Sequence, residues 1–309
     1  MRGMRRIFPA LLSLTVLLTL ALASPESRLK VLVIDGQNNH KWDITTPVLK
    51  HALESSGAFT VEVTTTPPKG ADAAAWEAWN PQFSDYAVVV SNYNGELWPE
   101  KARTAFDAYV SGGGGFVAVH AANNSFPEWA EYNRMIAVGG WGGRDENSGP
   151  WLYVKDGKLF RDISAGKGGA HGPQHEFVVE VVNSDHPVTR GLPKRWLHTK
   201  DELYSRLRGP SEGVEILAAA KSDLTAELEP SLMVIQHGKG RVFHTTLGHA
   251  DYSMLCRGFY LTLQRGAEWA ATGEVKLTAA VPTDFPTEAK TSTVALEGHP
   301  KQMPPEPKK

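Results

Sequence analysis

The residues of this chain best suited to chemistry are histidines that stand where strands end. An imidazole titrates near neutrality and can serve as general acid or general base. His120 closes the apolar run Phe116 to Val119 within GGGGFVAVHAANNSF, residues 112 to 126. A run that is apolar on both faces reads as a strand covered on two sides, and open α/β sheets bind ligands at the carboxyl ends of such strands. The residues that follow are Ala121, Ala122 and Asn123, so this turn has no Ser or Cys nucleophile. His249, in LGHADY, follows a second apolar strand and also projects from a carboxyl end. The two histidines are 129 residues apart, so their meeting across one crevice is an expectation of fold, not of spacing.

Carboxylates and ring-binding groups accompany them. Asp201 and Glu202 are adjacent, and neighbours on a strand face opposite ways, so only one can enter a given pocket. Glu202 is expected to partner a histidine, orienting it or acting as base; a solvated acidic pair is the alternative. After the first strand come Asp35, Asn38, His40 and Trp42, with Gly36 permitting a tight turn. Amide and imidazole donors beside an indole suit a pyranose, which offers hydroxyls and a flat apolar face. These four residues, with Asn123 and Asp251, are the expected substrate contacts, and Tyr252 is a weaker neighbour. Trp141 and Trp151 are candidates for further stacking. The expected catalytic set is His120, His249 and Glu202. His171 and His175 stand four apart, but Gly172 and Pro173 break any helix that would aim both rings at one ion. A loop site that adds Glu176 is the remaining form of metal binding there, and no metal or other cofactor is assigned.

The elements that must position these groups alternate strand with helix. Strands are expected at 28–34, 59–65, 86–90 and 116–119, with helices at 46–56 and 99–110 between them. That order argues for a parallel sheet with right-handed crossovers. Residues 127–175 hold many Gly, Trp and polar residues and read as an irregular functional region. Further strands are expected at 176–182, 214–220, 231–236 and 240–247, and a closing helix at 257–271. From about residue 276 Pro, Lys and Thr dominate, and 288–309 reads as a mobile tail.

The ends and the charge bound the setting. Arg2, Arg5 and Arg6 precede an apolar run from Ile7 to Leu22, and Ala21 and Ala23 form a cleavage pattern, so 1–23 reads as an export signal. The expected setting is periplasmic or secreted, with no membrane anchor after cleavage. Removing 1–23 leaves 29 basic against 34 acidic residues, a net charge of −5 that offers no footprint for nucleic acid. The single cysteine, Cys256, excludes an internal disulfide, so stability must come from the core. Oligomeric state is not legible here.

The segments VLVIDGQNNHKW, GGGGFVAVHAANNSF, HPVTRGLP with the following Asp201, Glu202 and Tyr204, and GKGRVFHTTLGHADY keep a common order. Together they resemble the ThuA-like (trehalose utilisation) family over residues 29 to 272. The resemblance implies an α/β fold, a three-layer flavodoxin-like sandwich similar to class I glutamine amidotransferases, with a mainly parallel central sheet. The domain is then 24–275, followed by a Pro/Lys-rich tail at 276–309. Amidotransferases of this fold carry a catalytic Cys near the position of Ala121, so glutamine hydrolysis is not expected. Many family members have an acid after the histidine of the first loop, whereas this chain has Lys41. The family is associated with disaccharides, particularly those oxidised to 3-keto forms, which makes a small carbohydrate the expected partner. The functional expectation is therefore an exported enzyme acting on such a sugar by His/Glu acid–base chemistry, with hydrolysis, elimination and isomerisation all open. A non-catalytic carbohydrate-binding domain and a metal-dependent hydrolase with histidine ligands are the alternatives.

Overall fold

A computed structural model describes residues 28–299. The signal-like run at 1–23 and the last part of the tail lie outside the described residues. The strands are β1 (Leu29–Asp35), β2 (Phe59–Thr65), β3 (Val88–Ser91), β4 (Gly115–Val119), β5 (Trp151–Lys155), β6 (Lys158–Asp162) and β7 (Ala170–His171). They continue as β8 (His175–Val181), β9 (Arg195–Asp201), β10 (Tyr204–Ser205), β11 (Val214–Lys221), β12 (Leu228–His237) and β13 (Gly240–Thr245). The α-helices are α1 (Trp42–Glu54), α2 (Ala73–Ala78), α3 (Glu100–Ser111), α4 (Ala130–Ile136), α5 (Asp251–Met254) and α6 (Arg257–Thr272).

One large sheet runs β2-β1-β3-β4-β13-β12-β11-β8-β9. Its core, β2 to β13, is parallel, in the flavodoxin-like order 2-1-3-4-5 with β13 as the fifth strand. From β12 outward every pairing is antiparallel, and the β5–β6 hairpin joins at β12. The fold is thus a flavodoxin-like α/β sandwich whose parallel core carries an antiparallel extension. The parallel strands are the continuous apolar ones because helices cover both their faces: β3 and β4 are buried throughout, and β1 over its last five residues.

Each face builds its own core. On one, α1 and α6 pack Val48, Leu49, Phe259 and Leu263 against Val31, Val33 and Phe243. On the other, α3 and the segment around α4 bring Trp98, Phe106, Phe126, Trp129 and Tyr132 onto Phe116 and Val89. A fully buried side chain of this size contributes roughly 1.5–3 kcal/mol, so these two clusters replace the disulfides the sequence lacks.

Three expectations need correction. Helix α1 starts at Trp42 and not at Thr46, because the Lys41 carbonyl accepts the amides of Ile44 and Thr45 and closes a turn earlier. Residues 127–175 are less irregular than expected, since they hold α4 and the β5–β6 hairpin. The segment 288–299, expected to be mobile, is packed. Val294 donates its amide to the Leu255 carbonyl, Arg257 donates to Ser292, and His299 Nε2 stands 3.2 Å from Asp251 Oδ2. Upstream, the buried Glu268 carboxylate accepts the amides of Lys276, Leu277 and Thr278, which commits the chain to the surface of α6.

Candidate functional site

The carboxyl ends of the parallel strands meet at one cleft. The loop after β1 brings His40, the turn after β4 brings His120, the end of β9 brings Glu202, and the loop after β13 brings His249. One ligand-type atom from each of these four lies within 4.8 Å of the others. Ring centroids are 4.9 Å apart for His40 and His120, 4.4 Å for His40 and His249, and 5.7 Å for His120 and His249. Glu202 Oε2 stands 3.0 Å from His249 Nδ1 and 3.8 Å from His120 Nε2. The structure therefore brings together the three residues expected to be catalytic, and adds His40.

Backbone geometry holds each one. His120 has φ of 46°, a left-handed conformation that costs a non-glycine residue on the order of 1–3 kcal/mol and persists only where its surroundings enforce it. Its Nδ1 donates to the Thr246 carbonyl at 2.6 Å, which fixes the tautomer and turns Nε2 toward Glu202. Asp201, fully buried, accepts four donors: the amides of Glu202, Gly248 and His249 and the His198 Nε2–H. It thereby ties the strand carrying Glu202 to the loop carrying His249. His198 is raised to about 10: burial alone would lower it, but Cys256 and Asp201 beside it outweigh that effect. Cys256 is thus a buried neighbour of His198 beneath the site and does not line it.

Electrostatics follow from this crowding. Burial opposes ionisation of Glu202, yet the imidazoles of His120 and His249 hold its carboxyl well below the usual range. His40 is pushed down to about 3, first by burial and then by His120 and His249. A buried carboxylate kept ionised among three imidazoles can orient them and stabilise a proton carried on a ring, or share a cation with the rings.

A cavity of about 370 Å³ opens onto this cluster, lined by Asn39, His40, Asn94, Asn124, Trp141, Gly142, His171, Glu202 and Tyr204. Tyr204 forms its floor, with its ring 4.1 Å from that of His120 and its hydroxyl 3.4 Å from His40 Nε2. His171 Nδ1 lies 3.9 Å from Glu202 Oε1 on the opposite wall. Gln174 reaches His249 Nε2 at 2.8 Å and accepts the Tyr252 hydroxyl at 2.5 Å. Asn39 and Asn94 are shared with a second depression of about 590 Å³ that includes Asn38 and Trp42, so the two form a continuous cleft.

Several expected contacts fall elsewhere. Asp35 is buried, accepts the Thr65 hydroxyl at 2.7 Å and is pushed up by that burial; it fastens β1 to β2 and does not line the cavity. Asn38 shapes the loop, donating to the Asn92 carbonyl and accepting the His40 amide. Trp42 lies in the second depression, away from the imidazoles. Asn123 is fully buried against His244 Nε2; residues 120–124 form a 3₁₀ turn, whose successive side chains point about a third of a turn apart, so Asn124 faces the cavity instead. Asp251 is 1% exposed and faces His299. Trp141 lines the cavity, whereas Trp151 lies under the Arg208 guanidinium at 4.5 Å. His171 and His175 part company: His175 donates to the Pro173 carbonyl and borders a different depression, and no metal-type cluster joins them with Glu176 among the described residues.

Residues not anticipated as site residues include Asn94, Asn124 and Gln174; His171, weighed only as a metal ligand beside His175, and Tyr204, noted only within a family segment, line the cavity as well. Asn94 had a signal, since it follows β3 as His40 follows β1. Gln174 had none, lying in a stretch without periodicity.

A flavodoxin-like sheet with a histidine and glutamate cluster at its carboxyl edge defines the class. Residues 30–270 match the family described as ThuA, trehalose utilisation, and the chain belongs to that family. A putative ThuA-like protein from Parabacteroides merdae is 48% identical, with 86% of this chain and 98% of that one covered and a TM-score of 0.83. A second putative ThuA-like protein, from Bacteroides uniformis, is 19% identical over 81% of this chain and 93% of its own, with a TM-score of 0.53, and shares the fold. No curated protein matches the chain.

Proposed function

We propose that the chain is an exported enzyme acting on a disaccharide or an oxidised, 3-keto sugar, with His120, Glu202 and His249 as the proton-transferring centre. One observation carries this reading: Glu202 Oε2 lies 3.0 Å from His249 Nδ1 and 3.8 Å from His120 Nε2 at a cavity rimmed by Asn39, Asn94, Asn124 and Trp141. Amides bind hydroxyls in pairs, and an indole face packs against the C–H side of a pyranose. The connection to the Trp42 depression provides room for a second ring. A keto group acidifies the neighbouring C–H, so an imidazole can serve as the base that removes that proton and no strong nucleophile is needed. Ala121, which the family resemblance sets in the neighbourhood of an amidotransferase's cysteine, offers no nucleophile, and this supports a reaction other than glutamine hydrolysis.

The test is turnover of disaccharides and their 3-keto forms by the mature protein, followed by mass spectrometry of the products. Loss of turnover in both His120→Ala and His249→Ala, with folding intact, is the expected result. Unchanged turnover in both variants would overturn the assignment. Glycan binding without turnover, insensitive to these substitutions but abolished by Trp42→Ala, would make the domain a binding module.

A further inference from the structure

We propose that His40, His120, His249 and Glu202 bind a divalent first-row transition metal ion. The inference goes beyond the reading above and does not need the substrate to be a sugar.

The argument starts from polar atoms without hydrogen bonds. His120 Nε2 and His249 Nδ1 are buried, and neither makes a hydrogen bond, although Glu202 Oε2 lies 3.8 and 3.0 Å away. His120 is 2% exposed, and its other nitrogen is committed as a donor to the Thr246 carbonyl. Nε2 is left facing a carboxylate oxygen without a hydrogen bond of its own. A buried pair of this kind requires positive charge on or between the two atoms, which a bound metal ion supplies as a ring proton would. A metal-bound histidine has this same arrangement: one nitrogen on the ion, the other donating to a backbone carbonyl that sets tautomer and ring orientation.

The second histidine is equipped in the same way. Gln174 contacts His249 Nε2 at 2.8 Å and Tyr252 through its other amide atom. Turning that amide over lets its oxygen accept an Nε2–H, because the tyrosine hydroxyl can donate or accept. Nδ1 is then bare on the side of Glu202. His40 closes the set from the loop after β1, its ring edge-on to His249.

Dimensions and donor types agree with this assignment. Two ligands about 2.1 Å from one ion are at most about 4.2 Å apart, so the widest pair here, at 4.8 Å, needs only a small side-chain rotation. Three imidazoles with one carboxylate suit zinc, cobalt, iron, nickel or manganese, and not magnesium or calcium, which take oxygen ligands. Four protein ligands on one side leave room toward the 370 Å³ cavity for water or a substrate oxygen. His171, on the far wall, is the imidazole left outside the ligand set.

The experiment uses the mature chain, dialysed against chelator and titrated with Zn²⁺ and with Co²⁺. One equivalent should bind. Co²⁺ should show ligand-field bands of a low-coordinate nitrogen site, and proton NMR of the Co²⁺ form should show hyperfine-shifted exchangeable imidazole resonances. His120→Ala and Glu202→Gln should each weaken binding by at least about tenfold, whereas His175→Ala should not. The NMR signature needs no variant, so it decides the matter even if the substitutions unfold the chain. Absence of stoichiometric binding, or Co²⁺ binding without shifted imidazole protons, overturns the proposal. A protein that binds no ion but turns over an oxidised sugar defeats only the metal site; one that binds the ion and turns over no sugar defeats only the carbohydrate reading.

Discussion

Asp201 accepts the backbone amide of His249 at 3.0 Å, and through this bond a buried residue beneath the cleft sets the height of a residue within it. The same carboxylate accepts the amides of Glu202 and Gly248 and pairs with His198 at 2.8 Å. All its partners are donors, which a carboxylate satisfies and an amide cannot. Asp201→Asn would set an NH₂ group against an N–H and leave His198 without its counter-charge. Breaking a buried pair in this way costs roughly 3–5 kcal/mol. Denaturant unfolding of the variant should show a loss of that size, and a loss below about 1 kcal/mol would contradict the positioning role.

Glu202 joins stability to function. It is buried, and the imidazoles of His120 and His249 hold its carboxyl well below the usual range, so the ionised group stabilises the folded chain and its replacement costs stability as well as activity. Glu202→Gln is predicted to lower turnover by about 10²–10⁴, the range general acid–base groups contribute, and to lower the unfolding temperature at neutral pH, with the difference from the parent shrinking as acid protonates the parent's carboxylate. A variant as active as the parent would remove Glu202 from the centre.

Trp42 tests the extent of the cleft. It lies in the depression that Asn39 and Asn94 connect to the cavity, not beside the histidines. Trp42→Ala should raise KM for a two-ring substrate about tenfold or more while leaving kcat and the handling of a single ring unaffected. Equal effects on both substrates would show that the second depression takes no part.

Gly36 shows how the His40 loop is aimed. Its φ is +113°, and a Cβ there would stand 2.7 Å from both the amide nitrogen and the carbonyl oxygen of Thr66. Gly57 is also left-handed, at +74°, yet a Cβ there would meet nothing within 4 Å. Gly57→Ala should therefore cost about 1 kcal/mol, the left-handed penalty alone. Gly36→Ala should cost more, because Thr66 must move and the loop with it. Equal losses in urea unfolding would refute the clash.

Much of this arrangement was legible because the parallel strands are continuous apolar runs, and polar residues at their carboxyl ends mark the functional edge. His120 and His249 could be selected on that ground alone, whereas Glu202 follows a strand that no apolar run announced and was legible only through the adjacent acidic pair and the family resemblance of the segment Asp201, Glu202 and Tyr204. The direction of the outer strands was harder to read. β12 and β13 are joined by two residues, Gly238 and Lys239, a hairpin length that requires antiparallel pairing, yet each strand taken singly looks like its parallel neighbours. Errors within the site came from side-chain direction. Asn123 and Asn124 are equally polar and adjacent, and only the 3₁₀ turn decides which one enters the cleft. Trp42 and Asp251 sit within two residues of His40 and His249, but a helix start turns Trp42 aside and His299 engages Asp251. Cys256, remote in sequence, comes to lie beside His198 because α6 begins there.

Glu229 sets a pH dependence that is independent of the cleft. It is fully buried near the start of β12, accepting the Thr225 hydroxyl at 2.8 Å and the Arg206 amide at 3.1 Å. Burial pushes its carboxyl up to about 8, with Glu227 adding to the rise and Arg206 and the hydrogen bonds from Thr225 opposing it. An acid whose pKa is higher folded than unfolded binds its proton more tightly in the native state. Its contribution to stability is complete below the unfolded value of about 4.3 and is lost as pH rises through about 8. Glu229→Gln has nearly the same shape and no proton to lose, so the variant should match the parent near pH 5 and unfold at a higher temperature than the parent near pH 8.5. Thermal unfolding of both proteins across that range measures the divergence; a constant offset between the two curves would show that Glu229 does not titrate as its burial requires.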